Sequence, residues 1–295
     1  MCVIQGEVSS VSNTKILVAK CFDSEDGGKR QLTVYQNKVG FKKPQTPHAP
    51  MPAMILPFPN PATLSSRADP VEFVDMTTMK SILSRLETDL FPPPRTFSRG
   101  FVNLSDSTNG SPPSPLEVKR VGSYQCSVAT SLDDIVRIDP SVFQVSESVC
   151  AFLRTHYPQN FGFVICRPAA EYCGVEEGGG GHSFEPIAFV HPRILFQGIP
   201  QNKDGLFVPT MHYHDHHGDK ASDWSHTIMR VGTGTAHVFP DNFVRETSAP
   251  KTVDSLQLWE LACMAHLDVK IDTQVCGIRV NENYSGNHDL FLVLK

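Results

Sequence analysis

Hydrophobic positions along this chain fall into short runs and two-residue alternations more often than into the three-to-four spacing of a helix. Residues 3–11 and 15–22 are apolar-rich and separated by Ser12, Asn13 and Thr14, a cluster of turn formers, so two strands are expected there. Gln31-Leu32-Thr33-Val34-Tyr35 alternates with the period of a half-buried strand. Ala53-Met54-Ile55-Leu56 reads as a short buried strand stopped by Pro57 and Pro59, because proline cannot donate to a ladder. The second half returns to strand pattern at 161–166, 186–190, 206–214, 225–231, 235–239, 275–280 and 290–294.

Helical spacing is rarer. Met79, Leu83, Leu86 and Leu90 share one face of a helix predicted over 77–90, which Pro92, Pro93 and Pro94 end. Shorter helices are expected at 131–138, with Asp133 and Asp134 in the first turn, at 146–156 and at 254–266. Strands with a few helices and no βαβ alternation predict an α+β fold built mainly of antiparallel β-sheet. A single domain over 1–295 is expected, with flexible loops near 40–52, rich in proline, and 104–115, too polar to pack.

Composition narrows the function classes. The 295 residues are 40% hydrophobic and 19% charged, so the chain can bury a core. A net charge of −5 with scattered lysines and arginines argues against nucleic acid as a partner, since phosphate binding needs clustered positive charge. No apolar run is long enough to cross a bilayer, and the opening Met1-Cys2-Val3-Ile4 turns polar at once, unlike a signal peptide. Eight thinly spread cysteines without a CxxC pair then suggest reduced thiols in the cytoplasm. No feature sets an oligomeric state.

The most distinctive chemistry lies in Met211-His212-Tyr213-His214-Asp215-His216-His217, followed by Asp223 and His226. Residues two apart on a strand share a face, so His212 and His214 project together. If the chain turns back near Asp219 as an antiparallel partner, His226 lies opposite His212 and diagonal to His214. Those spacings, ~5 Å and ~7–8 Å, let three imidazoles hold one divalent transition metal. Zinc or iron suits such a set, with Asp215 or Asp223 as a fourth ligand or an orienting group. His216 and His217 read as solvated loop residues. The metal site implies a hydrolytic or oxidative enzyme acting on a small molecule.

Cys2 carries a second chemistry. Removal of Met1 would expose a thiol and an α-amine on one residue, and an amine of pKa ~8 can serve as base for its own side chain. With the hydrophobic strand after it, the opening resembles that of cysteine-type N-terminal-nucleophile amidohydrolases. That resemblance implies a nucleophile at Cys2 and a four-layer sandwich, for which the predicted helices look too few. A third reading is a non-enzymatic binding or scaffold protein using the 40–52 and 104–115 loops.

Other groups rank lower. Gly178 to Gly181 has no following Gly-Lys-Ser/Thr, so it is read as a loop and not as a phosphate cradle. Cys166, Cys173 and Cys276 are expected as buried structural thiols, His191 and His237 as core or edge histidines, and Trp224 as a packing anchor.

Several blocks together resemble a family of bacterial and eukaryotic proteins of uncharacterised activity that share a Met-Cys start. They are Met1-Cys2, residues 30–35, 53–57, 71–75, 121–124, 161–164 and 209–215. Their spread through both halves of the chain favours one continuous domain, and the resemblance carries no functional residue with it.

Overall fold

The computed structural model describes residues 2–5, 8–23, 28–41, 53–61, 70–92, 116–143, 145–157, 159–169, 182–193, 205–214, 226–232, 244–252, 258–270, 272–280 and 289–293. Two mostly antiparallel sheets lie face to face. The first runs, in spatial order, β12 (His212–His214), β1 (Cys2–Gln5), β4 (Ala53–Pro59), β8 (Phe161–Pro168), β7 (Tyr124–Ala129) and β6 (Lys119–Val121). The second runs β14 (Val244–Thr247), β16 (Gln274–Val280), β13 (His226–Val231), β2 (Val8–Lys20), β3 (Arg30–Phe41), β10 (Ile187–Pro192) and β5 (Glu72–Val74). To this sheet β15 (Lys251–Thr252) adds beside β16 and β9 (His182–Ser183) beside β3. A ribbon of β11 (Gly205–Val208) and β17 (Leu290–Val293) stands apart from both. Two pairings are parallel, β1 with β12 and β2 with β13.

Strand alternation explains the layering. Ile4, Met54, Leu56, Val164 and Cys166 of the first sheet meet Ile16, Val18, Tyr35, Phe189 and Ile228 of the second in one inner core. The intervening residues turn outward. Leu17, Val34, Met229 and Val275 pack under α1 (Ile82–Leu90) and α3 (Trp259–Met264). Ile55, Phe163 and Ile165 pack under Val149, Phe152 and Leu153 of α2 (Glu147–His156). The order through the molecule is therefore helix, sheet, sheet, helix. The helices are few and short, as the pattern suggests: one lies on one side of the paired sheets and two on the other. The ribbon adds Leu206, Val208, Leu290 and Leu292 to the inner core. Gln31 fastens it, donating to the Phe207 carbonyl and accepting from the Phe207 N–H, both at 2.9 Å.

Several boundaries differ from expectation for identifiable reasons. The turn expected at 12–14 is a β-bulge inside one thirteen-residue strand, with Asn13 at φ +52°, a conformation asparagine tolerates. Pro57 and Pro59 do not stop β4, which is buried throughout and flanked on both sides. The ladder with β1 covers only Ala53 to Ile55, so the prolines lie where β4 needs donors toward β8 alone. The strand expected over 206–214 is two, separated at Pro209, Thr210 and Met211. Asp75 accepts the N–H and hydroxyl of Thr77, an Asx-type turn, and the helix begins only at Ile82. The segment expected as a helix over 131–138 is a 3₁₀ turn over Asp133–Arg137. Residues 42–52, 104–115 and 235–239 lie outside the described residues. No helix among the described residues is long and apolar enough to cross a membrane.

Candidate functional site

β1 opens at Cys2, and its register beside β12 pairs Cys2 with His212, Val3 with Tyr213 and Ile4 with His214. Ile4 belongs to the inner core, so position 2 of the same strand falls on the face turned to the second sheet. His212 agrees from the neighbouring strand: its Nε2 meets His226 Nε2 of β13 at 2.5 Å across the gap between sheets. The rings meet edge-on, centroids 4.5 Å apart and planes at 68°. Both histidines are buried, His212 at 5% and His226 at 2% exposure, so in the absence of an ion one Nε2 carries the proton and the other accepts it.

This encounter is not the one the sequence suggested. β12 and β13 form no hairpin; they belong to different sheets, each paired in parallel with an N-terminal strand. The N-terminal strands outcompete the local turn: β2 supplies β13 with a six-residue ladder whose side chains enter apolar cores on both faces, and β1 claims β12. His212 and His226 nevertheless converge. His214 lies two positions along β12, in register with Ile4, while Asp215 and Asp223 lie outside the described residues, as do His216, His217, His237 and Cys173. Among the described residues no group of three His, Cys, Asp or Glu side chains gathers to hold a metal.

β12 is three residues long, yet it is held at several points. Asp289, just before β17, accepts the Met211 N–H at 2.8 Å through Oδ1 and the Tyr157 hydroxyl through Oδ2. Burial, then the charge and hydrogen bond of Asp289, push the Tyr157 phenol well above its ordinary range, so it stays a donor. On the outer face Tyr213 stacks on Phe152 of α2, centroids 4.2 Å apart. Sequence reading missed Asp289 and Tyr157. The only signal was a lone aspartate before an apolar run, which says nothing about a partner 132 residues away.

Burial makes two of the thiols poor nucleophiles. Burial pushes Cys21 up to about 12, against a smaller pull from Arg30 and Arg193. Cys166 is driven well above its ordinary value by burial and by Cys126, its register partner across β7 and β8. Cys276 is buried and Cys263 exposed, all as free thiols. His191, expected in the core or at an edge, is a core residue at 1% exposure.

No family model, curated protein or solved structure matches this chain.

Proposed function

We propose that the chain is an amide-hydrolysing acyl-transfer enzyme whose nucleophile is Cys2, acting on a small-molecule amide. The observation that carries the reading is the position of Cys2: it opens a strand of an inner sheet, in register with a buried histidine, inside a helix–sheet–sheet–helix sandwich. The resemblance of the opening residues to cysteine-type N-terminal-nucleophile amidohydrolases supports the same reading. The reading requires a free α-amine on Cys2, so whatever precedes it, Met1 in this sequence, must be removed.

The chemistry then runs without a separate base. The α-amine takes the thiol proton, and the thiolate attacks the amide carbonyl to form a C–S bond. The ammonium returns its proton to the leaving nitrogen as the C–N bond breaks. Water, deprotonated by the same amine, cleaves the thioester to release a carboxylic acid and restore the thiol. His212, the register partner of Cys2 on a strand ~4.8 Å away, is the imidazole assigned to share the proton in this reading. Its link to His226 orients the ring, as a second group commonly orients a catalytic imidazole.

Intact-mass measurement and a panel of acyl amides test this. The expected result is loss of Met1, preferential iodoacetamide labelling of Cys2 over the exposed Cys263, and amide hydrolysis abolished in Cys2→Ala. Retained Met1, or full activity in Cys2→Ala, ends the reading.

A further inference from the structure

We infer that a cavity of about 350 Å³ at the far end of β2 binds an α-amino acid with an apolar side chain, laid against the Arg30–Glu72 ion pair. The site is separate from Cys2 and does not depend on the amide-hydrolysing reading. Its Cys21 lies seven residues along the chain from Thr14, the register partner of His226, roughly 23 Å at ~3.3 Å per residue.

The cavity forms where β2 runs out. Cys21 donates its N–H to the Arg30 carbonyl and bridges to Leu267, and Phe22 donates its N–H to the His266 carbonyl at 2.8 Å. Those bonds join the ends of β2 and β3 to the residues just after α3. The floor is apolar: Cys21, Val190 and Ala265 are all buried. Burial keeps the Cys21 thiol uncharged at neutral pH, so it serves there as apolar surface. Phe22, 58% exposed, stands beside this floor as an aromatic wall.

The rim carries both signs. Arg30 Nη1 holds Glu72 Oε2 at 3.1 Å, and Asp23 Oδ1 stands 3.8 Å from Nη2 of the buried Arg193. Each cation is matched by a carboxylate, which favours a ligand bearing one charge of each sign over a plain anion or a plain cation. Arg30 is also pinned through Nη2 to the Val190 carbonyl at 3.2 Å. Described residues thus engage two of its five N–H groups, and the others suit a carboxylate. Glu72 meets Arg30 through one oxygen and presents the second to an ammonium. An α-amino acid carries ammonium and carboxylate on a single carbon, a spacing close to that of the ion pair. Laid head to tail against the pair, each of its charges faces the opposite one. Its side chain then enters between Phe22 and the apolar floor. The volume stands near the lower end of small-molecule sites, ~300–1,000 Å³, which suits one amino acid.

Isothermal titration calorimetry of the full chain with L-phenylalanine tests this. One equivalent should bind. N-acetyl-L-phenylalanine lacks the ammonium and L-phenylalaninamide lacks the carboxylate; each should bind about 10-fold more weakly or worse, the usual worth of a charge-assisted hydrogen bond. Arg30→Gln and Glu72→Gln should each weaken L-phenylalanine by a similar factor, and Phe22→Ala by about 3-fold or more. Glu72 and Phe22 are exposed, so their variants keep the test decisive should Arg30→Gln fail to fold by circular dichroism. L-aspartate should not compete. Absence of binding by both L-phenylalanine and L-leucine at about 10 mM overturns the inference. So does equal binding of either blocked derivative, which would leave a site for one charge or for an apolar body alone. Binding that survives both Glu72→Gln and Phe22→Ala places the amino acid elsewhere on the chain and overturns it as well.

Discussion

His191 offers a sharp test of the electrostatics of the core. Its Nδ1 lies 2.8 Å from the Pro192 carbonyl oxygen, which only accepts, so Nδ1 carries the proton. Nε2 is therefore the acceptor for the Thr33 hydroxyl at 2.9 Å, and Thr33 in turn accepts from Gln31 at 3.3 Å. The rings of Phe58 and Phe189 flank it at 5.7 Å and 5.3 Å. Burial first, with Arg30 adding and the Pro192 carbonyl opposing, lowers its pKa from 6.5 to about 3. A base depressed in the fold is protonated only in the unfolded chain between those values. The stability it contributes is complete above pH 6.5 and is lost as pH falls toward about 3. The loss is about 1.4 kcal/mol for each unit below 6.5, hence about 2.7 kcal/mol at pH 4.5. His191→Gln carries no proton to titrate. In urea unfolding followed by tryptophan fluorescence, the wild-type advantage over His191→Gln should shrink by about that amount between pH 7 and pH 4.5, whatever its size at pH 7. Other titrating groups cancel in the difference. A difference constant to within about 0.5 kcal/mol across that range would refute the argument.

Two further substitutions probe the frame of the site. Asp289→Ala strips the partners of the Met211 N–H and the Tyr157 hydroxyl and should cost about 2–4 kcal/mol in urea unfolding, with Asp289→Asn milder because it keeps an acceptor; equal stability of all three proteins would remove Asp289 as a clamp on β12. Gly162→Ala would put a methyl 2.8 Å from Phe58 Cε2 and 2.9 Å from the Ala129 carbonyl oxygen, and closer still to Phe58 Cζ. An overpacking loss of about 1–3 kcal/mol is expected in the same assay, and none at all would mean that the Phe58 ring is free to move aside.

The fold was legible where burial is one-sided or complete. Gln31 to Tyr35, Phe161 to Cys166 and the Leu83, Leu86, Leu90 stripe announce their elements through period alone and lie where the pattern predicts, while Met79 packs into the same core from the turn before the helix. Patterns failed where a partner far along the chain overruled local preference. Ser12, Asn13 and Thr14 look like a turn, yet β3 pairs straight past them and absorbs the extra residue as a bulge. The polar stretch after His217 looks like a hairpin loop, yet β12 and β13 are claimed by β1 and β2 in separate sheets. The residue types of the site were visible in advance; their company was not. His212 and His226 were singled out through local spacing, whereas Cys2 and His212 had been assigned to rival chemistries. Only register, a property of two distant segments at once, sets them side by side.

The two parallel pairings have a kinetic consequence. Cys2 meets a strand that begins at His212, and Thr14 meets His226, so each contact closes a loop of about two hundred residues. During synthesis the amino-terminal strands leave the ribosome long before their neighbours exist, and apolar edges wait unpaired in the meantime. Any reactivity of Cys2 that depends on His212 is thereby deferred until translation is three-quarters done, and chaperone demand should fall on that interval.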